Sequence, residues 1–119
     1  MSTAADLVSH AKSRIREITP QELSAQLAKV TVVDVREPDE FLAGHLPGAI
    51  NIPRGLLEFR VDNHPIVCDR NCTIVLQCQS GGRSALATVV MQELGYKNVV
   101  NLAGGIAAWN AAGLPVERG

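Results

Sequence analysis

Three local patterns follow one another in the segment Thr73-Ile74-Val75-Leu76-Gln77-Cys78-Gln79-Ser80-Gly81-Gly82-Arg83-Ser84. The β-branched, apolar run at its start is typical of a strand buried on both faces of a sheet. A glycine-rich turn then leads into residues 84–94, whose apolar spacing predicts a helix that ends at Gly95. A strand, a tight loop and a helix in this order indicate a unit of a parallel α/β sheet.

The same alternation of strands and helices extends along the chain. Apolar runs predict strands at residues 30–35, 49–52 and 98–102. A capping box at Thr19-Pro20-Gln21-Glu22 predicts the start of a helix. We therefore expect an α/β domain over residues 18–119, with a central, mostly parallel sheet and helices on both faces. The further helices are predicted at about residues 20–29, 37–43, 55–61 and 105–112.

Residues 1–17 contain no strand-like run and are interpreted as an N-terminal extension of that domain. Leu7, Ala11, Ile15 and Ile18 fall at helical spacing, so the extension is predicted to be a helix laid on the domain. The sequence does not decide whether this helix caps the domain or mediates dimerisation.

The composition excludes several classes of function. The chain has 119 residues, of which 46% are hydrophobic and 19% charged, and this fits one packed domain. A net charge of -1 and only four aromatic residues argue against a nucleic-acid partner. No apolar run approaches the roughly 20 residues needed to cross a bilayer, so no membrane partner is expected. With no apolar leader segment at the N-terminus, a cytoplasmic protein is expected.

Cys78 is the candidate nucleophile because of its position directly after a predicted buried strand. In an open α/β sheet, ligands bind outside the carboxyl ends of the strands. The N–H groups of the following loop and helix start should converge there and stabilise an anion. The same field lowers the pKa of a thiol, and Arg83 adds a fixed positive charge. A reactive thiolate is therefore predicted at Cys78.

The other cysteines are interpreted as ordinary loop residues. Cys68 and Cys72 form a Cys-x3-Cys pair, but with only His64 nearby they lack the ligands of a metal site, and no metal is expected. The six residues from Cys72 to Cys78 along a strand span roughly 20 Å, too far for a disulfide. Cys68 is less constrained and stays open as a redox partner of Cys78.

Four motifs in order give the sequence a resemblance to the rhodanese family, and specifically to its single-domain sulfurtransferases. The resemblance runs from about Ile15 to Arg118 and implies the three-layer rhodanese-like fold. The motifs are Asp34–Phe41, Gly44–Pro53, the loop Cys78–Arg83 and Leu102–Trp109.

The resemblance implies a thiosulfate sulfurtransferase that works without a cofactor. The Cys78 thiolate would take a sulfane sulfur from a small anionic donor, thiosulfate or a related species, and a thiol or cyanide would remove it from the persulfide. The loop residues Gln79, Ser80, Gly81, Gly82 and Arg83 would bind the substrate. Asp34, Arg36 and His45 would support the site structurally.

Two alternatives remain open. The same fold hosts phosphatases whose loop, by resemblance, is Cys-x5-Arg, and a Cys-dependent phosphatase or arsenate reductase is the first alternative. The loop from Cys78 to Arg83 is one residue shorter, which suits an added sulfur atom better than a phosphoryl group. The other alternative is a persulfide relay or regulatory module, with a protein partner as the sulfur donor.

Overall fold

The computed structural model describes residues 3–67 and 69–119, and in this part of the chain five short strands form one sheet. Every neighbouring pair of strands is parallel, in the order β1-β5-β4-β2-β3. The α/β class is thus confirmed, and the sheet is parallel throughout. The strands are β1 (Glu17–Ile18), β2 (Thr31–Asp34), β3 (Ile50–Asn51), β4 (Ile74–Gln77) and β5 (Val99–Leu102).

The described part of the chain also contains six α-helices. The predicted capping box at Thr19 is present: its hydroxyl accepts from the Glu22 N–H, and the Glu22 carboxylate accepts from the Thr19 N–H. The helices are α1 (Ala4–Ser13), α2 (Pro20–Gln26), α3 (Pro38–Ala43), α4 (Leu57–Arg60), α5 (Gly82–Glu93) and α6 (Gly105–Ala111). Short 3-10 turns at Leu27–Lys29, Arg54–Leu56 and Val61–Asn63 flank α2 and α4.

Two apolar clusters, one on each face of the sheet, make the three layers. Alternate residues of β4 supply both clusters, since side chains along a strand point to opposite faces. Leu76 packs with α4 and α5, whereas Val75 packs with α2 and α6. Trp109 of α6 is fully buried in the second cluster. Helices on both faces of the sheet are thereby confirmed.

The sheet register places the ends of three strands together. β4 lies between β2 and β5, with Gln77 opposite Asp34 and Leu76 opposite Asn101. Because all strands are parallel, their carboxyl ends share one edge. Cys78, one residue past the end of β4, therefore emerges at the middle of that edge.

The N-terminal segment differs from the expectation in one respect. The helix α1 packs against α5, but it ends at Ser13, so neither Ile15 nor Ile18 continues the helical pattern. Instead, Glu17 and Ile18 form β1, which extends the sheet by pairing with β5. A two-residue strand carries too short a pattern to be recognised in a sequence, because its pairing is decided by the neighbouring strand.

Two further observations concern membranes and metals. Among residues 3–67 and 69–119, no helix has the length and apolar character required to traverse a bilayer. The same residues contain no group of three or more His, Cys, Asp or Glu side chains arranged to hold a metal ion. The open question of Cys68 as a redox partner lies outside the described residues.

Candidate active site

The Cys78 side chain lies at the bottom of a loop between β4 and α5. It is only 1% exposed. Its sulfur accepts hydrogen bonds from the backbone N–H of Gly81 at 3.2 Å and of Ser84 at 3.4 Å, and from the Ser84 hydroxyl at 3.4 Å. The sulfur therefore sits inside a ring of donors formed by the loop and the first turn of the helix.

These donors decide the charge state of Cys78. Burial raises the pKa of the thiol, but the hydrogen bonds from the Ser84 hydroxyl and from the N–H groups of Ser84, Gly81 and Ser80 together outweigh it. The pKa of Cys78 lies below its ordinary value as a result. A thiolate is the reactive form of a cysteine, so the loop prepares Cys78 as a nucleophile.

The start of α6 fixes the direction of the loop peptides. The N–H groups of Ile106 and Ala107 donate to the carbonyl oxygens of Cys78 and Gln79, at 2.9 and 3.0 Å. With these carbonyl groups held by the first turn of α6, the following N–H groups are free to face the sulfur. Sequence analysis assigned no such role to this helix.

Two glycines make this arrangement sterically possible. Gly81 has a φ of 101°, in the left-handed region that side chains disfavour. Gly105, with φ 60°, lies directly against the loop. A Cβ atom there would overlap the carbonyl oxygen of Cys78 and lie 2.7 Å from the carbonyl carbon of Gln79. The loop and α6 thus approach as closely as backbone atoms allow.

Arg83 has a partner that sequence analysis missed. Its guanidinium donates to both carboxylate oxygens of Glu40 on α3, at 2.8 and 3.0 Å. The Arg83 hydrogen bond is the main reason that the pKa of Glu40 falls to about 2. Glu40, followed by the Cys78 sulfur, raises the pKa of Arg83. Arg83 therefore has two anionic neighbours, the Glu40 carboxylate and the Cys78 sulfur, and Glu40 compensates its charge before any substrate binds.

Asp34 and Arg36 support the loop from the neighbouring strand, β2. Both are buried, and Arg36 donates to the Asp34 carboxylate through Nε at 3.1 Å and Nη2 at 2.8 Å. Arg36 also donates to the Gly44 carbonyl at 2.7 Å and reaches the Gln79 side chain at 3.5 Å. This pair links β2, the end of α3 and the first residue after Cys78.

His45 lies apart from the loop and serves a different part of the fold. Its ring stacks on Phe41 at 3.8 Å, and its Nδ1 is 2.9 Å from the Phe41 carbonyl oxygen. Its backbone pairs with Glu117 through two hydrogen bonds of 2.8 Å. His45 therefore fastens the C-terminal segment to α3, and its contacts among the described residues are with Phe41 and Glu117.

A polar cavity of about 310 Å³ adjoins the loop at Gln79. Arg36, Glu40 and Arg118 contribute two guanidinium groups and one carboxylate to its wall. A larger cavity of about 530 Å³ lies against residues 24–30, but none of its lining residues belongs to the loop. The polar cavity is lined by Gln79, the residue that follows Cys78, and by two guanidinium groups, so it can hold an anion beside the loop.

Comparisons with known proteins agree with this architecture. The family profile of the rhodanese-like domain matches residues 19–112. A sulfurtransferase of Allochromatium vinosum is 37% identical over 86% of this chain and 94% of its own length. Thiosulfate sulfurtransferase 16 of Arabidopsis thaliana, a chloroplastic protein, is 39% identical over 76% of this chain and 82% of its own. The chain belongs to the rhodanese family.

A solved structure covers nearly the same length. A protein of unknown function from Rhodopseudomonas palustris, described as a possible tyrosine phosphatase, superimposes with a TM-score of 0.89 at 33% identity. It covers 98% of this chain and 96% of its own. The two structures therefore share their fold over 98% of this chain, a range that includes the N-terminal helix.

Proposed function

We propose that this protein transfers a sulfane sulfur from thiosulfate, or a related small anionic donor, to a thiol or cyanide through a persulfide on Cys78. The observation that carries the proposal is the ring of donors around the Cys78 sulfur, which lowers its pKa in spite of its burial. The likeness to two sulfurtransferases supports the same class of reaction.

In the first half-reaction the Cys78 thiolate attacks the outer sulfur of the donor. A new sulfur–sulfur bond forms, and the bond between the two donor sulfurs breaks with its electron pair leaving on sulfite. Sulfite is a weak base, so its departure needs no proton. The absence of a histidine in the loop fits this chemistry, because no general acid or base is required.

In the second half-reaction the acceptor attacks the outer sulfur of the persulfide, and Cys78 leaves as a thiolate. The N–H groups of Gly81 and Ser84 stabilise the negative charge that returns to the sulfur. The same donors therefore assist both steps. Each step consumes one anion and releases one, so a fixed set of neutral donors suits the whole cycle.

The surroundings of the loop support an anionic donor of modest size. Arg36 and Arg118 line the polar cavity beside Gln79, while Glu40 compensates Arg83. The exposed Gln79 and Ser80 form the outer face of the loop. We propose that the donor anion passes through this cavity and that its outer sulfur reaches Cys78 from the side of Gln79.

The test follows thiocyanate formation from thiosulfate and cyanide, with the intact protein mass recorded after thiosulfate alone. Wild type is expected to turn over and to gain one sulfur atom. Cys78→Ser is expected to do neither, while Cys72→Ser, the matched control at the other described cysteine, keeps both. A folded wild type without turnover or added sulfur would contradict the proposal.

Two further measurements distinguish the proposed sulfurtransferase from a persulfide relay module and from a phosphatase. Loading of Cys78 by a protein persulfide, but not by thiosulfate, would favour the relay module. Hydrolysis of an aryl phosphate that is lost in Cys78→Ser would favour a phosphatase, the activity suggested for the Rhodopseudomonas palustris protein. The four-residue spacing between Cys78 and Arg83 leads us to expect no such hydrolysis.

A further inference from the structure

Asn101 is a fully buried polar residue at the carboxyl edge of the sheet, on β5. Its side-chain nitrogen donates to two oxygens: the Glu17 carboxylate at 2.8 Å and the Gly81 carbonyl at 3.2 Å. Gly81 is the residue whose N–H donates to the Cys78 sulfur. A chain of contacts thus runs from the edge strand β1, through β5, to the loop of the nucleophile.

Glu17 decides which way the Asn101 amide points. The Glu17 carboxylate and the Gly81 carbonyl are both acceptors, so only the NH2 end of the amide can face them. The other end, the Asn101 side-chain oxygen, is left buried without a hydrogen-bond partner. A buried unpaired carbonyl oxygen is unfavourable for folding, and it offsets part of what the two hydrogen bonds of the NH2 end contribute to stability.

We propose that Asn101 is a positioning residue of the active site, oriented by Glu17, which holds Gly81 so that the Gly81 N–H stays directed at the Cys78 sulfur. The Gly81 carbonyl also accepts from Ala85 in the first turn of α5 at 3.0 Å. Two donors on one carbonyl fix the peptide plane on the far side of Gly81. This matters because glycine at φ 101° has wide conformational freedom when it is not held.

The proposal deepens the proposed function and rests on it only for the consequence on turnover. Its direct consequence is on the thiol: when the Gly81 donor is lost, the thiolate is less favoured and the pKa of Cys78 rises. The charged groups beside the sulfur, Arg83 on α5 and its partner Glu40 on α3, are not part of the Asn101 network. Their effect on the thiol stays constant when Asn101 is changed.

The experiment measures the pH dependence of Cys78 alkylation by iodoacetamide, with the Cys78 peptide followed by mass spectrometry. In Asn101→Leu the midpoint is expected to move up by about one pH unit, a tenfold loss of thiolate near neutral pH. The melting temperature is recorded for each variant, so that the midpoint is compared between folded proteins. Asn98→Leu, an exposed asparagine just before β5, is the matched control and keeps the wild-type midpoint.

Glu17→Gln keeps the test decisive if Asn101→Leu does not fold. A glutamine can accept from the Asn101 NH2 group or donate to the Asn101 side-chain oxygen, so position 17 no longer excludes the flipped amide, although Gly81 still favours the original one, and a smaller upward shift is expected. An unchanged midpoint in both folded variants would overturn the proposal. A shifted midpoint in a protein that proves inactive with thiosulfate would uphold it while the proposed function fails.

Discussion

Arg83 and Glu40, 43 positions apart in the chain, meet in a two-pronged ion pair beside the Cys78 loop. Such a geometry restrains the guanidinium in its plane. The pair joins α3 to the start of α5, so the mouth of the loop is bounded by two helices that are tied together. It also leaves the site less positive than a free arginine would make it.

Removing the charge of Glu40 is expected to strengthen the binding of an anionic donor. In Glu40→Gln, Arg83 is no longer compensated, and the KM for thiosulfate should fall several-fold at low salt. The difference should shrink as ionic strength rises, because salt screens charges near a surface. Asp39→Asn, an exposed carboxylate on the same helix, is the control and should leave the KM unchanged. An unaltered KM in Glu40→Gln would contradict an electrostatic role for this carboxylate.

The ion pair of Arg83 and Glu40 is also expected to make the free energy of unfolding depend on pH in the acid range. The pKa of Glu40 in the folded protein, about 2, is below the usual 4.5, so the pair stabilises the fold above pH 4.5 and loses its effect as the pH falls through 2. Because both side chains are partly exposed, its contribution is about 1 kcal/mol or less. The difference in unfolding free energy between wild type and Glu40→Gln should therefore be constant at neutral pH and disappear between pH 4.5 and 2. Urea titrations at several pH values measure it, and a difference that grows in acid would contradict the assignment.

Ser84 is expected to set the reactivity of Cys78 more than any other side chain. Its hydroxyl lies 3.4 Å from the sulfur and gives the largest of the effects that lower the pKa of Cys78. Ser84→Ala should raise the midpoint of Cys78 alkylation and slow sulfur loading at neutral pH. For the thiol pKa, Ser80→Ala is the control, because only the backbone of Ser80 acts on the sulfur. Equal midpoints in Ser84→Ala and wild type would show that the backbone donors suffice.

Because α6 and the loop approach each other closely, the addition of a single methyl group at Gly105 is expected to destabilise the protein. Gly105→Ala should destabilise the protein by about 2 kcal/mol or more, since the added carbon overlaps the Cys78 carbonyl and the backbone is in the left-handed region. Thermal unfolding measures the change. Gly55→Ala, at an exposed glycine with open space around its Cα, should have little effect. Similar stability in the two variants would contradict the contact.

The central features of the fold could be predicted from the sequence, because they depend on local patterns. The apolar runs at β2, β4 and β5 predict strands, and the cysteine after β4 predicts the nucleophile from its position alone. The partners of the site were not predictable in this way. Glu40 is simply an acidic residue in the first turn of a helix until folding brings it to Arg83. Asn101 lies within an apolar strand, where nothing local indicates which oxygens it will meet.

The edge strand β1 determines where the domain can be truncated without exposing an open sheet edge. The family match begins at residue 19, two positions after β1 starts, and ends at residue 112, before Glu117 pairs with His45. A fusion module trimmed to those limits would expose one side of β5 as an open sheet edge, prone to self-association. It would also remove the carboxylate that orients Asn101. Expressed fragments that retain residues 17–18 and 117 should therefore self-associate less than the trimmed one.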